Sequence, residues 1–207
     1  MRIIAGTHRG RVLRGPQGRD TTRPITDRVK TNLFNILGDL VDDAIVADCF
    51  AGTGSLGIEA LSRGAAHATF IEKDAAALDL LRQNLAELAL ADRAVVIRHD
   101  LLARGLPSLP SLPSLPSAQA FTLVFFDPPY QLNETDADRL WFKLAEAARD
   151  GRLARGATVV WRHEANQSIE PGPGVADALA VREHRRYGSQ VLTFIGVTAE
   201  SAPEVPA

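Results

Sequence analysis

The sequence predicts an α/β protein with a Rossmann-like, mostly parallel, doubly wound sheet and one antiparallel strand late in the chain. Short apolar runs alternate with segments of helical periodicity from Ile45 onward, and a glycine-rich turn follows the first run. The pattern ends in two neighbouring β-rich stretches with no helix between them. With 207 residues, 45% of them hydrophobic, the chain suffices for one such domain with a buried core.

The individual elements follow from local signals. A helix is predicted to begin after Thr26, an N-cap residue, because apolar residues then recur at helical spacing, namely Val29, Leu33, Ile36, Leu37 and Leu40. The later elements are predicted, in order, as the strand Ile45–Phe50, the helix Leu56–Arg63, the strand Ala68–Glu72, the helix Asp74–Leu88, the strands Ala94–Arg98 and Phe121–Phe126, the helix Glu134–Arg149, the strand Ala157–Arg162, and the β-rich stretches Ala178–Arg186 and Gln190–Val197. The nearly all-apolar run before Asp127 is typical of a strand buried on both faces of a parallel sheet.

Composition excludes several classes of protein. The single cysteine, Cys49, excludes an intramolecular disulfide framework and a zinc site made of cysteines alone. The five histidines lack the spacing of metal ligands, so we predict no metal site. No apolar run approaches the roughly 20 residues of a membrane span, and the N-terminus lacks the apolar core of a secretory signal. We expect a cytoplasmic protein. A monomer is the simplest expectation, although the sequence leaves the oligomeric state open.

The N-terminal segment is strongly basic. Residues 1–30 carry a net charge of +6 and the remainder a net charge of −8, which gives −2 for the chain. The apolar pairs Ile3-Ile4 and Val12-Leu13, on either side of a glycine-containing turn, predict a small β-hairpin. We interpret residues 1–24 as a basic arm that binds phosphates, and a solvated, partly disordered tail is the alternative. The residues of this arm that would contact phosphates are Arg2, Arg9, Arg11 and Arg14.

Residues 25–198 are predicted to form the main α/β domain, followed by a disordered tail over 199–207. Within the domain, residues 107–117 form a three-residue repeat of proline, serine and leucine. Proline at that density cannot lie in a helix or an interior strand. We therefore interpret the repeat as a tolerated surface insertion between two core elements, with a ligand for a partner protein as the alternative.

A glycine loop lies where the first predicted strand turns into a helix. Gly52, Gly54 and Gly57 satisfy G-x-G-x-x-G, and Glu72 ends the next strand, 20 residues beyond Gly52. Glycines let the backbone approach a ligand closely, and a carboxylate at the second strand can accept hydrogen bonds from both ribose hydroxyls. This much is typical of NAD and S-adenosylmethionine sites alike, and a purely structural turn would also satisfy it.

Asp48 favours S-adenosylmethionine over a dinucleotide. It lies four residues before the first glycine, where a carboxylate would repel a pyrophosphate but attract the ammonium and the sulfonium of S-adenosylmethionine. Its alternative role is to accept hydrogen bonds from N–H groups of the loop. Asp100, after the third strand, is a candidate acceptor for the adenine amino group or, alternatively, a cap for the segment that follows it.

The tetrapeptide Asp127-Pro128-Pro129-Tyr130 is the candidate catalytic core. It follows a buried strand and so shares a crevice with the glycine loop. An exocyclic amine of a base is a poor nucleophile because its lone pair is delocalised into the ring. The Asp127 carboxylate and the Pro128 carbonyl can accept both amine N–H bonds, while the Tyr130 ring offers a stacking surface to an extruded base. A rigid turn at a strand end is the alternative interpretation.

Several segments together resemble the bacterial RsmD-type family of class I, S-adenosylmethionine-dependent methyltransferases. They are Arg2-Ile3-Ile4-Ala5-Gly6, Arg9-Gly10-Arg11, Arg23-Pro24-Ile25-Thr26-Asp27-Arg28-Val29-Lys30, Leu33-Phe34-Asn35, Asp48-Cys49-Phe50-Ala51-Gly52-Thr53-Gly54, Leu56-Gly57-Ile58-Glu59-Ala60-Leu61-Ser62-Arg63-Gly64 and the tetrapeptide. The resemblance runs from residue 2 to about residue 196. It implies methylation of the exocyclic N2 of a guanine in 16S ribosomal RNA, with ribosomal RNA or an assembling small ribosomal subunit as partner.

The resemblance also implies roles for single residues. The segment Arg23–Arg28 would fold over the cofactor and help to hold its methionine end, and the arginines of the hairpin would contact RNA phosphates. Tyr187-Gly188-Ser189-Gln190 corresponds to a stretch near the base pocket, which a hairpin turn would also explain. Thr31 stands where family members usually carry a glutamate. The candidate cofactor-binding residues are Arg23, Thr26, Arg28, Asp48, Phe50, Gly52, Gly54, Glu72, Lys73 and Asp100.

Three other functions compete with this hypothesis. DNA adenine-N6 methyltransferases share the tetrapeptide, but they generally carry a separate DNA-recognition domain, for which 207 residues leave little room. An NAD-dependent oxidoreductase is disfavoured by Asp48 and by the lack of a catalytic Tyr/Lys or His/Asp arrangement. The third alternative is a non-catalytic RNA-binding domain that has kept the fold.

Overall fold

The structure is a computed structural model that describes residues 1–16, 25–111 and 120–198. In these ranges the strands are β1 Ile45–Cys49, β2 His67–Glu72, β3 Ala94–Arg98, β4 Phe121–Phe126, β5 Leu153–Glu164, β6 Leu179–Tyr187 and β7 Gln190–Val197. The α-helices are α1 Asp27–Leu37, α2 Ser55–Ser62, α3 Ala75–Glu87, α4 Leu101–Arg104, α5 Tyr130–Thr135 and α6 Ala137–Arg149. Arg23, most of the repeat over 107–117 and the tail over 199–207 lie outside the described residues.

The seven strands form one sheet in the order β3-β2-β1-β4-β5-β7-β6. The first five run parallel to their neighbours, and β7 is antiparallel to both β5 and β6. The predicted doubly wound sheet with one late antiparallel strand is therefore confirmed. The chain reverses its direction of winding between β1 and β4, and a crevice for ligands is expected at that switch point, beyond the carboxyl ends of these strands.

Four local predictions were wrong. The helix predicted over Glu134–Arg149 is two helices, because Asp136 between them has a non-helical φ of −132° and ψ of 17°. The strand predicted over Ala157–Arg162 begins earlier, at Leu153, and Gly156 with φ of 78° accommodates the shift of register against β4. The short helix α4 was not predicted. Leu40, predicted on the first helix, lies in a 3-10 turn and is exposed.

Helices cover both faces of the sheet and divide the core in two. On one face the buried residues of α1, α2 and α3 pack together, and Phe34 of α1 contacts Phe125 of β4 with ring centroids 5.6 Å apart. On the other face α6 packs on the sheet, where Trp141 and Trp161 lie 5.1 Å apart. The strands between these layers, β1 and β4, are buried along almost their whole length, as expected for a parallel sheet covered on both sides.

The N-terminal hairpin packs against the first face. Arg2 and Val12 form an antiparallel bridge, and the Ile3 N–H donates to the Arg11 carbonyl at 2.9 Å. Ile3 and Leu13 are both buried in the core that α1, α2 and α3 share. Along the described ranges, no helix combines the length and the apolar character that a membrane span requires.

Candidate active site

The crevice lies at the carboxyl ends of β1, β2 and β4, as the sheet order predicts. It encloses a cavity of about 480 Å³. Of the residues named in advance, its lining includes Asp48, Phe50, Gly52, Glu72, Lys73, Asp127 and Pro129. The lining also includes Met1, Pro16, Ile25, Ala51, Thr53, Ser55, Leu56, Asp74, Ala76, Ala77, Leu80, Leu132 and Arg162. The glycine loop and the tetrapeptide thus share one cavity.

The three loop glycines serve different purposes. Gly52 has φ of 54° and lines the crevice, and a Cβ built on it would meet no heavy atom within 4 Å. Gly54 has φ of 86°, and its Cβ would lie 2.4 Å from Cδ1 of Leu81. A Cβ on Gly57 would lie 2.4 Å from the Phe70 ring. Gly52 therefore leaves open space for a ligand, whereas Gly54 and Gly57 allow close packing of the loop and α2 on the core.

Phe50 precedes the loop in a strained backbone conformation. Its φ of 58° lies in the left-handed region, which is unusual for a residue with a bulky side chain. Its ring lies 5.4 Å from that of Phe126 in an edge-on arrangement and borders the cavity. Strain of this kind is concentrated at functional sites, where the surrounding structure holds it in place.

Asp48 is a buried carboxylate at the floor of the crevice. Its side chain accepts a hydrogen bond from the Gly57 N–H at 2.8 Å, so the alternative role of supporting the loop is also observed. Burial raises the pKa of Asp48 well above its usual range, the Gly57 N–H opposes that shift, and the nearby charges of Asp127 and Glu72 add to it. A carboxylate in this position is most stable as an anion when a cation lies beside it.

Glu72 ties the end of β2 to the glycine loop. Its Oε2 accepts from the Gly52 N–H at 3.0 Å, and its Oε1 accepts from the N–H groups of Lys73 and Asp74 at 2.8 and 2.9 Å. The Asp74 carboxylate in turn caps α3 by accepting from the Ala77 N–H. Glu72 therefore sets the shape of the cavity wall and presents a carboxylate to it, at the place where a ribose was predicted.

The tetrapeptide meets a residue that the sequence analysis did not assign to the site. Arg162, near the end of β5, donates through Nε to Asp127 Oδ1 at 2.6 Å and through Nη2 to Asp127 Oδ2 at 2.8 Å. Its Nη1 donates to the Tyr130 hydroxyl at 3.1 Å, and its guanidinium carbon lies 5.5 Å from the centre of the Tyr130 ring. Burial works to lower the pKa of Arg162, but the Asp127 carboxylate more than offsets this and raises it.

Two glutamines complete the surroundings of Tyr130. Gln190, at the start of β7, donates to the Tyr130 hydroxyl at 3.3 Å, and Gln167 donates to the Tyr130 carbonyl at 2.8 Å. Burial raises the pKa of Tyr130, while the nearby Arg162 charge lowers it, so the hydroxyl stays protonated at neutral pH. Gln190 belongs to the stretch that resembled a base-pocket segment, and the same stretch also forms the turn between β6 and β7.

Other predicted site residues lie away from the crevice lining. Asp100 caps α4 by accepting from the N–H groups of Leu102 and Ala103 at 3.1 and 3.2 Å, which was its alternative role. Thr26 caps α1, with its hydroxyl accepting from the Val29 N–H at 3.3 Å, and Arg28 is exposed. Pro128 is buried next to the lining, and Tyr130 is half-buried behind it.

The four arginines of the hairpin differ in their partners. Arg2 forms an exposed ion pair with Asp27 at 2.8 Å, and Arg14 pairs with Glu87. Arg9 is exposed, and Arg11, also exposed, lies with its guanidinium 3.5 Å from the Glu87 carbonyl. Arg9 and Arg11 are therefore the members of this set that present most of their donors to solvent.

The crevice suits S-adenosylmethionine better than a dinucleotide. Asp48, Glu72, Asp74 and Asp127 place four carboxylates around one cavity against the two cations Lys73 and Arg162, and this excess of acidic groups attracts an ammonium or a sulfonium and disfavours a pyrophosphate. The open space at Gly52 admits the ligand to the backbone of the loop. Across the described ranges, no cluster of three or more His, Cys, Asp or Glu side chains is arranged to hold a metal ion.

Comparisons with known proteins identify the family and the fold. The model of the family described as Conserved hypothetical protein 95 matches residues 1–196. Ribosomal RNA small subunit methyltransferase D of Escherichia coli (strain K12) is 42% identical over 134 residues, which are 63% of this chain and 61% of that enzyme. This match thus spans less than two thirds of the curated relative.

Solved structures resemble the chain over nearly its whole length. The yhhF protein of Escherichia coli has a TM-score of 0.76 and 32% identity, covering 97% of this chain and 99% of its own. A hypothetical protein of Thermus thermophilus has a TM-score of 0.71 and 29% identity, covering 95% of this chain and 99% of its own. The class I methyltransferase fold predicted from the sequence is confirmed. The chain belongs to the Conserved hypothetical protein 95 family, that of the RsmD-type methyltransferases.

Proposed function

We propose that this protein transfers a methyl group from S-adenosylmethionine to the exocyclic N2 of a guanine in 16S ribosomal RNA. The observation that carries the proposal is the shared cavity, in which the tetrapeptide and a carboxylate-lined glycine loop meet. The similarity to ribosomal RNA small subunit methyltransferase D directs the proposal to small-subunit RNA, and the basic hairpin supports a nucleic-acid partner.

The cofactor half of the site acts through its carboxylates. S-adenosylmethionine, when bound, supplies an electrophilic methyl group on a cationic sulfur. Asp48 at the floor of the crevice attracts the positive charges of the methionine end. Glu72 accepts from one ribose hydroxyl through Oε2, which has the Gly52 N–H as its other donor. Gly52 allows the ligand to lie against the loop, and the Phe50 ring forms an apolar wall.

The acceptor half of the site, formed by the tetrapeptide, acts on the exocyclic amine of the base. Asp127 and the Pro128 carbonyl accept the two amine N–H bonds, which draws the nitrogen lone pair out of the ring and aims it at the methyl group. As the nitrogen–methyl bond forms, the sulfur–methyl bond breaks to leave S-adenosylhomocysteine, and the amine loses one proton to solvent. Tyr130 contributes its ring as a stacking surface for the extruded base, an interaction of roughly 1–3 kcal/mol in other nucleic-acid complexes. Positioning supplies the rest of the rate, because methyl transfer needs the donor and the acceptor in line.

A methyl-transfer assay with several acceptors tests this proposal. Labelled S-adenosylmethionine is incubated with small ribosomal subunits from cells that lack this gene, with naked 16S RNA and with duplex DNA. The products are then digested to nucleosides and identified by mass spectrometry. We expect N2-methylguanosine in the ribosomal samples. N6-methyladenine in DNA would overturn the proposal in favour of a DNA enzyme.

Calorimetry tests the cofactor independently of the acceptor. We expect S-adenosylhomocysteine to bind at micromolar concentration or below and NAD to give no heat at the same concentrations. Tight binding of NAD without binding of S-adenosylhomocysteine would contradict the assignment of the crevice. Binding of S-adenosylhomocysteine without transfer to any acceptor would instead favour a non-catalytic RNA-binding domain.

A further inference from the structure

Arg162 is a buried cation on the acceptor side of the crevice. Its side chain is 6% exposed, and the Asp127 side chain that it contacts is 17% exposed. Arg162 lies near the end of β5, Asp127 follows β4, and Tyr130 begins α5. One side chain therefore joins three separate elements of the fold at the place where the base is proposed to bind.

The geometry of this contact fixes the plane of the Asp127 carboxylate. Nε and Nη2 donate to different oxygens of Asp127, which is the forked arrangement of a bidentate pair. Each carboxylate oxygen has two lone-pair directions. The fork occupies one direction on each oxygen and leaves the other free to accept an amine N–H from the cavity that Asp127 lines.

The third donor of Arg162 extends the same constraint to the ring. Nη1 donates to the Tyr130 hydroxyl, to which Gln190 also donates. The guanidinium lies towards one face of the ring, 5.5 Å from its centre. A ring held at its hydroxyl and covered from one side keeps a single orientation.

We propose that Arg162 is a positioning residue that orients Asp127 and Tyr130 as one unit for the target amine. The inference rests on the proposed function and deepens it, because it names the residue that prepares the acceptor half. A lysine at this position would supply the charge, but as a single point of contact it could not hold both carboxylate oxygens and the tyrosine hydroxyl. Charge compensation alone and geometric positioning therefore predict different behaviour for Arg162→Lys.

The test compares Arg162→Met and Arg162→Lys with Arg149→Met. Arg149 is a matched control, because it also forms a forked pair, with Asp177, at 2.9 and 2.6 Å on the surface of α6. The measurements are kcat and KM on the ribosomal acceptor, the Kd of S-adenosylhomocysteine, and the melting temperature. We expect Arg162→Met to lower kcat about 10- to 100-fold, as small misplacements of reacting groups do, while S-adenosylhomocysteine binds at least as tightly as to the wild type. Arg162→Lys should recover less than half of that loss on a logarithmic scale, and Arg149→Met should match the wild type.

A spectroscopic measurement separates positioning from simple loss of stability. The chain has two tyrosines, Tyr130 and Tyr187, so fluorotyrosine labelling gives two fluorine NMR signals, which a Tyr187→Phe variant assigns. In Arg162→Met the Tyr130 signal should shift and broaden, while the Tyr187 signal stays. If Arg162→Met does not fold, the same measurements are made on Arg162→Lys, which retains the positive charge.

Each outcome bears on a different claim. Arg162→Met or Arg162→Lys with wild-type kcat, in an enzyme that methylates RNA, would overturn the positioning role and leave the proposed function standing. Full recovery of kcat by Arg162→Lys would show that charge compensation suffices and would also overturn it. Wild-type protein that transfers no methyl group to any acceptor would overturn the proposed function itself and remove the basis for the role.

Discussion

Two buried ion pairs in this protein have opposite characters. Lys30 and Glu59, where the hairpin meets α1 and α2, lie 3.1 Å apart with side chains 1% and 0% exposed. Arg162 and Asp127 form the other pair, at the crevice. Removing these charged groups from water costs free energy at both sites, and hydrogen bonds compensate for part of that cost. They differ in how many acceptor positions of the carboxylate are occupied.

The Glu59 carboxylate is saturated. Its Oε2 accepts from the Ile4 N–H at 2.8 Å and from Lys30, and its Oε1 accepts from the Ala5 N–H at 3.0 Å and from Arg63 at 2.8 Å. With two partners on each oxygen, it has no capacity left for a ligand. The Asp127 carboxylate, by contrast, borders a cavity. A saturated buried carboxylate fixes structure, whereas one that retains accepting capacity beside a cavity is available for chemistry.

Replacement of Asp127 should produce the largest effect on turnover. In Asp127→Ala we expect kcat to fall by roughly 10²–10³-fold, the usual cost of removing one positioned electrostatic group. S-adenosylhomocysteine should still bind, because the cofactor half of the crevice is intact. Steady-state kinetics measure the loss of kcat, and calorimetry measures the binding of S-adenosylhomocysteine. The surface variant Asp177→Ala serves as control. Activity within tenfold of the wild type would show that Asp127 is not the amine acceptor.

Replacement of Glu59 should instead affect stability. Glu59→Ala leaves Lys30 buried without its carboxylate and leaves two hairpin N–H groups without their acceptor. Breaking one partner of a buried pair costs about 3–5 kcal/mol, so the free energy of unfolding should fall by that amount in urea denaturation. At a temperature where the variant remains folded, its kcat should stay close to the wild-type value. If Glu59→Ala lost kcat without losing stability, the Lys30–Glu59 pair would have a role in turnover and not in holding the structure.

A third buried carboxylate, Asp48, accepts one hydrogen bond, from the Gly57 N–H, and so has fewer occupied acceptor positions than Glu59 or Asp127. Its folded pKa is raised by burial, so the folded state retains a proton that the unfolded state releases. The free energy of unfolding therefore falls as the pH rises from the unfolded pKa of Asp48 through its folded value. Asp48→Asn removes the titrating carboxyl group, and with it this fall in the free energy of unfolding. The variant should therefore melt at a higher temperature than the wild type at neutral pH.

The same substitution should weaken the cofactor site. A cationic ligand favours the charged form of Asp48, so the affinity for S-adenosylhomocysteine should rise with pH in the wild type and stay flat in Asp48→Asn. We expect a loss of affinity of about 10-fold or more near neutral pH, by analogy with one charged hydrogen bond. Equal affinities in the two proteins across that range would remove Asp48 from the cofactor site.

The glycine-loop side of the crevice was predictable where its signals are local, whereas Thr26, Arg28 and Asp100, which were also predicted there, lie away from the lining. Gly52 and Asp48 lie within one strand and its turn, and Glu72 lies at the end of the next strand. The acceptor half was only partly predictable. Arg162 and Gln167 reach Tyr130 from more than thirty positions further along the chain, and only the pairing of β4 with β5 brings them there. The available signal for Arg162 was an arginine that directly follows the apolar run Val159–Trp161.

The packing of the hairpin determines how its role can be tested. Deleting residues 1–14 would remove Ile3 and Leu13 from the core and the two N–H donors from Glu59, so a loss of RNA binding would be confounded with unfolding. Arg9 and Arg11 are exposed and can be replaced without disturbing these contacts. The saturated pair holds the hairpin in place, and these two arginines are the part that we propose to contact RNA.

Replacing those arginines should give the smallest effect. In Arg9→Gln and Arg11→Gln we expect RNA affinity to fall a few-fold and the slope of log K against log salt to decrease by about 0.7–0.9 for each lost phosphate contact. Melting temperature and the Kd of S-adenosylhomocysteine should match the wild type, because neither side chain contacts the core or the crevice. Arg139→Gln, at the exposed start of α6, serves as the charge-matched control. A slope unchanged from that of the wild type would mean that the hairpin of this enzyme does not contact phosphates, and that its basic residues serve another purpose.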